Sequence, residues 1–303
     1  MKVLVFGSLN IDLIFSVDHI VEGGETISSS SLVKSAGGKG ANQAAALAKA
    51  GMDVYMAGKV GQDGQFLLTL LESYGVNTGA VRVYEGASGQ ALIQLDKTGQ
   101  NAIVLYAGGN AAITIDEINR TLEDFGEGDC IVLQNEIVFT GEIMKAAHKR
   151  GLRICLNPSP YDEKIAALPL DLVNILFVNE IEGAALAGSS RDGEPVGSRP
   201  PEILGSLTGR FPKAEIILTA GREGAYYGFG DIRERGNIVD VPVVDTTGAG
   251  DTFTGYFIAA RYKQYPLQAA LDIACKAASL AVSRKGAMEA IPLAVEVFPP
   301  EER

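Results

Sequence analysis

The chain has 303 residues, 47% of them hydrophobic and 21% charged, with a formal charge of −11. That length holds one large α/β domain or two ordinary ones, and the acidic balance argues against an extended nucleic-acid footprint. No apolar run reaches the roughly 18–20 residues of a membrane span, and three scattered cysteines, Cys130, Cys155 and Cys275, fit a reducing, cytoplasmic setting better than a disulfide framework.

Val3–Phe6 is apolar throughout and reads as a central parallel strand, too short for a signal-peptide core. Asn10 and Asp12 follow it, two apart and so on one face of an extended segment. They are either ligand contacts beyond a strand end or the polar residues of an Asx-type turn. Thr26–Ser35 reads as a strand exposed on at least one face. Ala36–Gly37–Gly38–Lys39–Gly40–Ala41–Asn42–Gln43 is a glycine-rich turn opening a helix through Ala44–Ala50. It is not a Walker A loop, because Gly40 rather than Ser or Thr follows Lys39. Strand, helix and strand are expected over Asp53–Val60, Gln65–Tyr74 and Ala80–Val83. Gln90–Asp96 and Asn101–Tyr106 alternate around Lys97–Gln100 as a hairpin.

Helices and strands then take turns. Helices are expected over Thr114–Asp124, Thr140–Arg150 and Ile203–Phe211, with a short one ending at Ala187. Strands are expected over Cys130–Gln134, Arg153–Leu156, Leu172–Val178 and Glu215–Thr219, with a loop over Ser189–Pro201. The β-branched run Val241–Val244 leads into Asp245–Thr246–Thr247–Gly248–Ala249–Gly250–Asp251, after which an apolar helix pattern begins at once; a further helix spans Leu267–Ser283. Amides in a helix's first turn lack intrahelical partners and carry partial positive charge, so this turn is suited to an anion. Asp251 there is either a helix cap or a general base beside a phosphoryl group. The dinucleotide fingerprint fails, since Phe253 stands where its third glycine belongs. His19 and His148 are too few and too separated for a zinc site.

Such alternation predicts a mostly parallel, Rossmann-like sheet sandwiched by helices in one α/β domain over 1–303. The segments 11–35 and 88–106 bring strands without helices and predict a small β-sheet lid. Polar residues at the predicted strand ends, Asn10, Asp12, Glu136, Asn157, Asn179, Glu182, Thr219 and Asp251, mark one edge of the main sheet.

The residues Gly37–Gln43 and Asp245–Phe253 resemble the signatures of the ribokinase-like sugar kinases, and Asn10–Ile11–Asp12 points to the ribose branch of that family. Supporting matches are Gln134–Asn135–Glu136, Asn157–Pro158, Asn179–Glu180–Ile181–Glu182, Tyr106–Ala112 and Arg284–Ala287. The resemblance spans Gly7 to Pro292. It implies an ATP-dependent kinase acting on a sugar's primary hydroxyl, with Asp251 as the base and the amides of Gly248, Ala249, Gly250 and Asp251 holding the transferring group. Asn10, Asp12, Gly38, Lys39, Gly40, Asn42 and Glu136 would hold the sugar. Asn179, Thr219, Gly221, Arg222, Gly224, Gly250 and Cys275 would meet the nucleotide. Glu182 would order Mg2+ through water, and K+ would be bound by Asp245, Thr247, Ala281, Arg284 and Gly286. The same resemblance implies a homodimer formed through the lid, a sugar and ATP as the small-molecule partners, and neither nucleic acid nor membrane. Cys275 replaces the family's usual histidine and Ala290 its usual serine, which puts nucleotide affinity and potassium dependence in question. A kinase for another sugar, such as deoxyribose or fructose, and a catalytically silent sugar sensor are the competing readings.

Overall fold

In the computed structural model, which describes residues 1–188 and 197–300, a nine-stranded sheet carries the order β13-β12-β11-β10-β9-β8-β1-β4-β5. Its strands are β1 Val3–Phe6, β4 Val54–Gly61, β5 Asn77–Tyr84, β8 Cys130–Gln134, β9 Arg153–Asn157, β10 Ile175–Asn179, β11 Glu215–Thr219, β12 Ala225–Phe229 and β13 Ile232–Gly236. From β5 through β11 every pairing is parallel; β12 and β13 add an antiparallel hairpin at the edge. A separate four-stranded sheet has the order β3-β2-β6-β7, from β2 Asn10–Ser16, β3 Ser31–Gly37, β6 Gly89–Leu95 and β7 Asn101–Tyr106.

Alternation along each strand sends side chains to opposite faces, and both faces are covered. Val3, Val5 and Val132 pack with α1 (Lys39–Lys49), α2 (Gln65–Ser73), α7 (Ala249–Tyr262) and α8 (Leu267–Val282). Leu4, Phe6 and Leu133 pack with α3 (Ile115–Leu122), α4 (Thr140–Lys149), α5 (Glu180–Ala187) and α6 (Pro200–Arg210). Burial on both sides is why these strands read as unbroken apolar runs, each Val, Leu or Ile contributing about 1.5–3 kcal/mol. Cys130 and Cys155, distant in sequence, meet in this core with their sulfurs 3.5 Å apart.

The chain leaves β1 toward β4 and β5, then returns to β8 on the other side. The order therefore reverses between β1 and β8, where an open α/β sheet forms its ligand crevice. Helices α1 and α7 cross beside that crevice at very close range. A Cβ on Gly255 would come within 2.5 Å of the Ala46 Cβ and 2.9 Å of the Leu47 amide nitrogen, so only glycine admits this approach.

Several expected bounds shift. The strand expected over Thr26–Ser35 begins at Ser31 and runs into Gly37, and the helix expected from Ala44 already includes Lys39. Leu170–Leu172 is a 3-10 turn, so β10 starts at Ile175. Val241–Val244 is not a strand: Val243 and Val244 are exposed on an irregular segment. Of the loop expected over Ser189–Pro201, residues 189–196 lie outside the described residues, and α6 has begun by Pro200. The β12–β13 hairpin and α9 (Ala294–Val297) have no counterpart in the sequence reading. Among the described residues no helix is long and apolar enough to cross a membrane.

Candidate active site

The loops after β1 and β8 and the first turns of α1 and α7 meet over the crevice. Asp251, in the first turn of α7 and buried, is held on both oxygens by α1: Asn42 Nδ2 donates to Oδ2 and Gln43 Nε2 to Oδ1, each at 2.9 Å. Glu136, just past β8, accepts from the Lys39 amide at 3.0 Å and from the Ser8 hydroxyl, both on Oε2. The same hydroxyl oxygen accepts from the Gly40 amide at 3.2 Å. Thus the first turn of α1, capped by Gly38, is pinned to the ends of β1 and β8. Asn110, in the segment leaving the second sheet, accepts from the Leu9 amide at 3.1 Å and donates to Asn10 Oδ1 at 2.7 Å. It ties the exit of that sheet to its entry. Asp12 stands on β2 opposite Ser35, and its carboxyl group lies so close to Gly37 that an added Cβ there would collide with it.

These carboxylates sit in a charged but poorly hydrated pocket. Burial pushes the Asp12 pKa up to about 7, with Glu136 and then Glu289 adding repulsion. Burial likewise raises Glu136, against the pull of the Lys39 charge and its hydrogen bonds. Burial works against the Lys39 ammonium, but Asp251, Glu136 and Glu182 outweigh it and hold its pKa above the ordinary lysine value. The Asn42 Oδ1 atom is buried and has no protein partner among the described residues. A group seated there must bring a donor, as a hydroxyl does. Asn10, Asn110 and Glu136 also line a cleft of about 690 Å³ that runs past Tyr106 and Phe139.

On the other side of Asp251 the turn Thr246–Thr247–Gly248 enters α7, with Gly248 at φ 73° as its cap. The first-turn amides have no intrahelical acceptor, the Ala249 amide donating to the Thr246 carbonyl at 3.3 Å, and Ala249 and Gly250 line a second cavity of about 490 Å³. Thr219, Gly221, Arg222, Gly224, Ala249, Gly250 and Cys275 all line it; Asn179 does not. Ile238, Val239, Val241 and Val243 form an apolar wall, which is the work of the β-branched run that makes no strand. Burial drives the Cys275 thiol up to about 12, with Asp272 adding to it against a hydrogen bond with the Ala225 backbone, so it meets a ligand as a neutral packing group.

A family model described as pfkB family carbohydrate kinase matches residues 1–294. The chain belongs to the pfkB family of carbohydrate kinases. It is a sugar kinase, a phosphotransferase. A Bacillus subtilis relative, ribokinase, is 35% identical over 301 residues, covering 98% of each chain. Among solved structures, Arabidopsis thaliana ribokinase complexed with ribose and ATP aligns over 98% of this chain and 97% of its own, with a TM-score of 0.86 and 30% identity. Ribokinase from Cryptococcus neoformans in complex with ADP gives 0.84 and 34% identity, over 98% of each chain. Both carry a central sheet flanked by helices and a smaller separate sheet, the architecture of this kinase.

The residues expected at a monovalent cation also gather, beside the α7 cap. Asp245 accepts from the Thr247 amide at 3.0 Å, the Thr247 hydroxyl at 2.7 Å and the Gly286 amide at 3.0 Å. Burial opposes its charge, but these hydrogen bonds hold its pKa below the ordinary value. Ala281, next to the end of α8, accepts from the Arg284 amide at 3.0 Å, closing the turn toward Gly286. A carboxylate held in place in this way offers the hard oxygen ligand that a monovalent cation takes. Asn179 and Glu182 form a capping box at α5: Asn179 Oδ1 accepts from the Glu182 amide at 2.9 Å and Glu182 Oε2 from the Asn179 amide at 3.1 Å. Local helix physics thus accounts for this pair, and the second Glu182 oxygen is outside the box. Ser8, Gln43, Asn110 and Gln134 are given no role in the sequence reading, although the last three lie within its matched motifs. Gln134 was detectable, as the one polar residue on the otherwise apolar strand Cys130–Gln134.

Proposed function

We propose that this kinase transfers the γ-phosphoryl group of ATP to the primary hydroxyl of D-ribose, giving ribose 5-phosphate, with Asp251 as general base. One observation carries the reading. Asp251 lies in the helix turn whose residues Ala249 and Gly250 line the 490 Å³ cavity, and its carboxylate is clasped by Asn42, whose Oδ1 is buried with no protein partner among the described residues. Asp251 thus stands between an anion-ready turn and a hydroxyl-ready pocket. Asn10, Asp12, Gly38, Lys39, Gly40, Asn42 and Glu136 hold the sugar, and the relatives solved with ribose and ATP or with ADP support the choice of ligands.

Phosphoryl transfer depends mainly on positioning and on stabilising spreading charge. Asp251 takes the hydroxyl proton, and the amides of Gly248, Ala249, Gly250 and Asp251 stabilise the phosphoryl oxygens. The Lys39 ammonium contributes positive charge near the same centre. Thr219, Gly221, Arg222, Gly224 and Cys275 line the nucleotide site. Mg2+ at the phosphates, ordered through water by Glu182, and K+ at Asp245, Thr247, Ala281, Arg284 and Gly286 supply further neutralising charge when bound. The second sheet, from the insertions at 11–35 and 88–106, serves as a lid of the single catalytic unit and excludes water. Three buried free thiols support a cytoplasmic setting.

Asp251→Asn tests the base. Loss of a general base lowers kcat by about 10²–10⁴-fold, while calorimetry should still record ribose and ADP binding. Full turnover by the variant would refute this assignment. Steady-state assays with ribose, deoxyribose and fructose identify the sugar; a higher kcat/KM for fructose than for ribose would overturn the choice of pentose.

A further inference from the structure

We propose that Gln43 and Gln134 form a buried amide relay that fixes the orientation of the Asp251 carboxylate, making Gln43 a positioning residue for phosphoryl transfer. Both glutamines are fully buried. Gln134 Nε2 donates to Gln43 Oε1 at 2.7 Å, and Gln43 Nε2 donates to Asp251 Oδ1 at 2.9 Å. The direction of this chain is forced. An ionised carboxylate only accepts, so Gln43 must turn its NH2 edge toward Asp251 and its oxygen toward Gln134. Gln134 must then present its own NH2, and its oxygen is left buried with no protein partner among the described residues. An interior amide oriented at the expense of an unpaired acceptor is a costly arrangement. Its return here is one fixed rotamer of the base.

The helices supply the register. Gly255 lies one turn beyond Asp251, and Ala46–Leu47 one turn beyond Asn42–Gln43, so the close contact at Gly255 brings both amides onto the carboxylate. Asn42 grips Oδ2 and belongs to the sugar pocket. Gln43 grips Oδ1 from deeper in the protein, held by the end of β8. Strand, helix α1 and helix α7 are thereby joined through one side-chain path ending on the proton acceptor.

The proposal rests on Asp251 being the base, and the experiment separates the two. Gln43→Met and Gln134→Met keep volume and remove the amides; they are assayed singly, together, and beside Asp251→Asn. Misalignment of a catalytic group by about 1 Å costs up to about 100-fold, so Gln43→Met should lower kcat by about 10- to 100-fold with the ribose KM unchanged. Gln134→Met should act in the same direction and less strongly, and the double variant should be no worse than Gln43→Met alone, because the relay has already lost its end. Thermal melting with and without ADP identifies which variants fold and bind nucleotide. A wild-type kcat for Gln43→Met, or a Gln134→Met loss that multiplies in full in the double variant, overturns the relay. If Gln43→Met does not fold, Gln134→Met decides alone, and an unchanged kcat there overturns it. Activity retained by Asp251→Asn would instead remove the base assignment.

Discussion

Asp12 is a carboxyl group whose pKa is raised to about 7 by burial and by the charges of Glu136 and Glu289. A sugar hydroxyl donating to it favours the ionised form, so the competent fraction of the unliganded pocket grows as pH rises. Ribose binding should tighten by about tenfold between pH 6 and pH 8 and then level off, with Asp12→Asn removing the dependence. Calorimetry in buffers of different ionisation enthalpy checks this, since binding near pH 7 should release a fraction of a proton. A pH-independent affinity would sink the prediction. Stability has the opposite sign. The native carboxyl holds its proton more tightly than the unfolded chain, whose pKa is near 4, so its contribution is full below that pH and is lost as pH rises through about 7. Melting temperatures of the wild type should therefore fall across that window relative to Asp12→Asn.

Elements were legible where physics is local. The strands Val3–Phe6, Cys130–Gln134 and Glu215–Thr219 match their expected bounds, because burial on both faces leaves uninterrupted apolar runs. The β12–β13 hairpin was hidden because Ile232–Gly236 is exposed and charged, with no alternation to betray it. Val241–Val244 misled because it pairs with no strand among the described residues, and Val241 and Val243 wall a cavity instead. In the site, residues with motif spacing, such as Lys39, Asn42 and Asp251, could be read. Gln43 stands in the same motif but its role could not be read, since that role comes only from a partner more than two hundred positions away. The α1–α7 contact behind that pairing is open to test. Gly255→Ala adds a methyl group against Ala46 and Leu47, and overpacking of this kind costs about 1–3 kcal/mol. The variant should melt at lower temperature and lose kcat as Asn42 and Gln43 withdraw from Asp251. An unchanged melting temperature with unchanged kcat would show that the helices have room to spare.

At the scale of the whole molecule, the second sheet leaves apolar surface uncovered. Leu32, Val33, Ile103, Val104, Leu105 and Tyr106 are exposed, with Val104 at 65%. The last four are consecutive on β7, which is an edge strand and among the described residues pairs only with β6. An exposed apolar edge is a template for another chain, and stable monomers blunt such edges with charge. The sheet also reaches the proposed sugar pocket through Asn10, Asp12 and the Asn10–Asn110 hydrogen bond. A second copy seated on its outer side would cover the apolar strand and, if this sheet is the proposed lid, stiffen it over the proposed sugar site with the same contact. Val104→Lys places a charge at the most exposed point of β7 and leaves the crevice untouched. Sedimentation velocity at micromolar concentration should find a dimer for the wild type and a monomer for the variant. Lid closure would then be carried by one chain alone, so the ribose KM should rise by several-fold, about the effect of 1 kcal/mol, while Asp251 and its partners keep kcat within about twofold. A wild type that sediments as a monomer would refute the dimer, and a monomeric variant with an unchanged KM would separate the dimer from the lid.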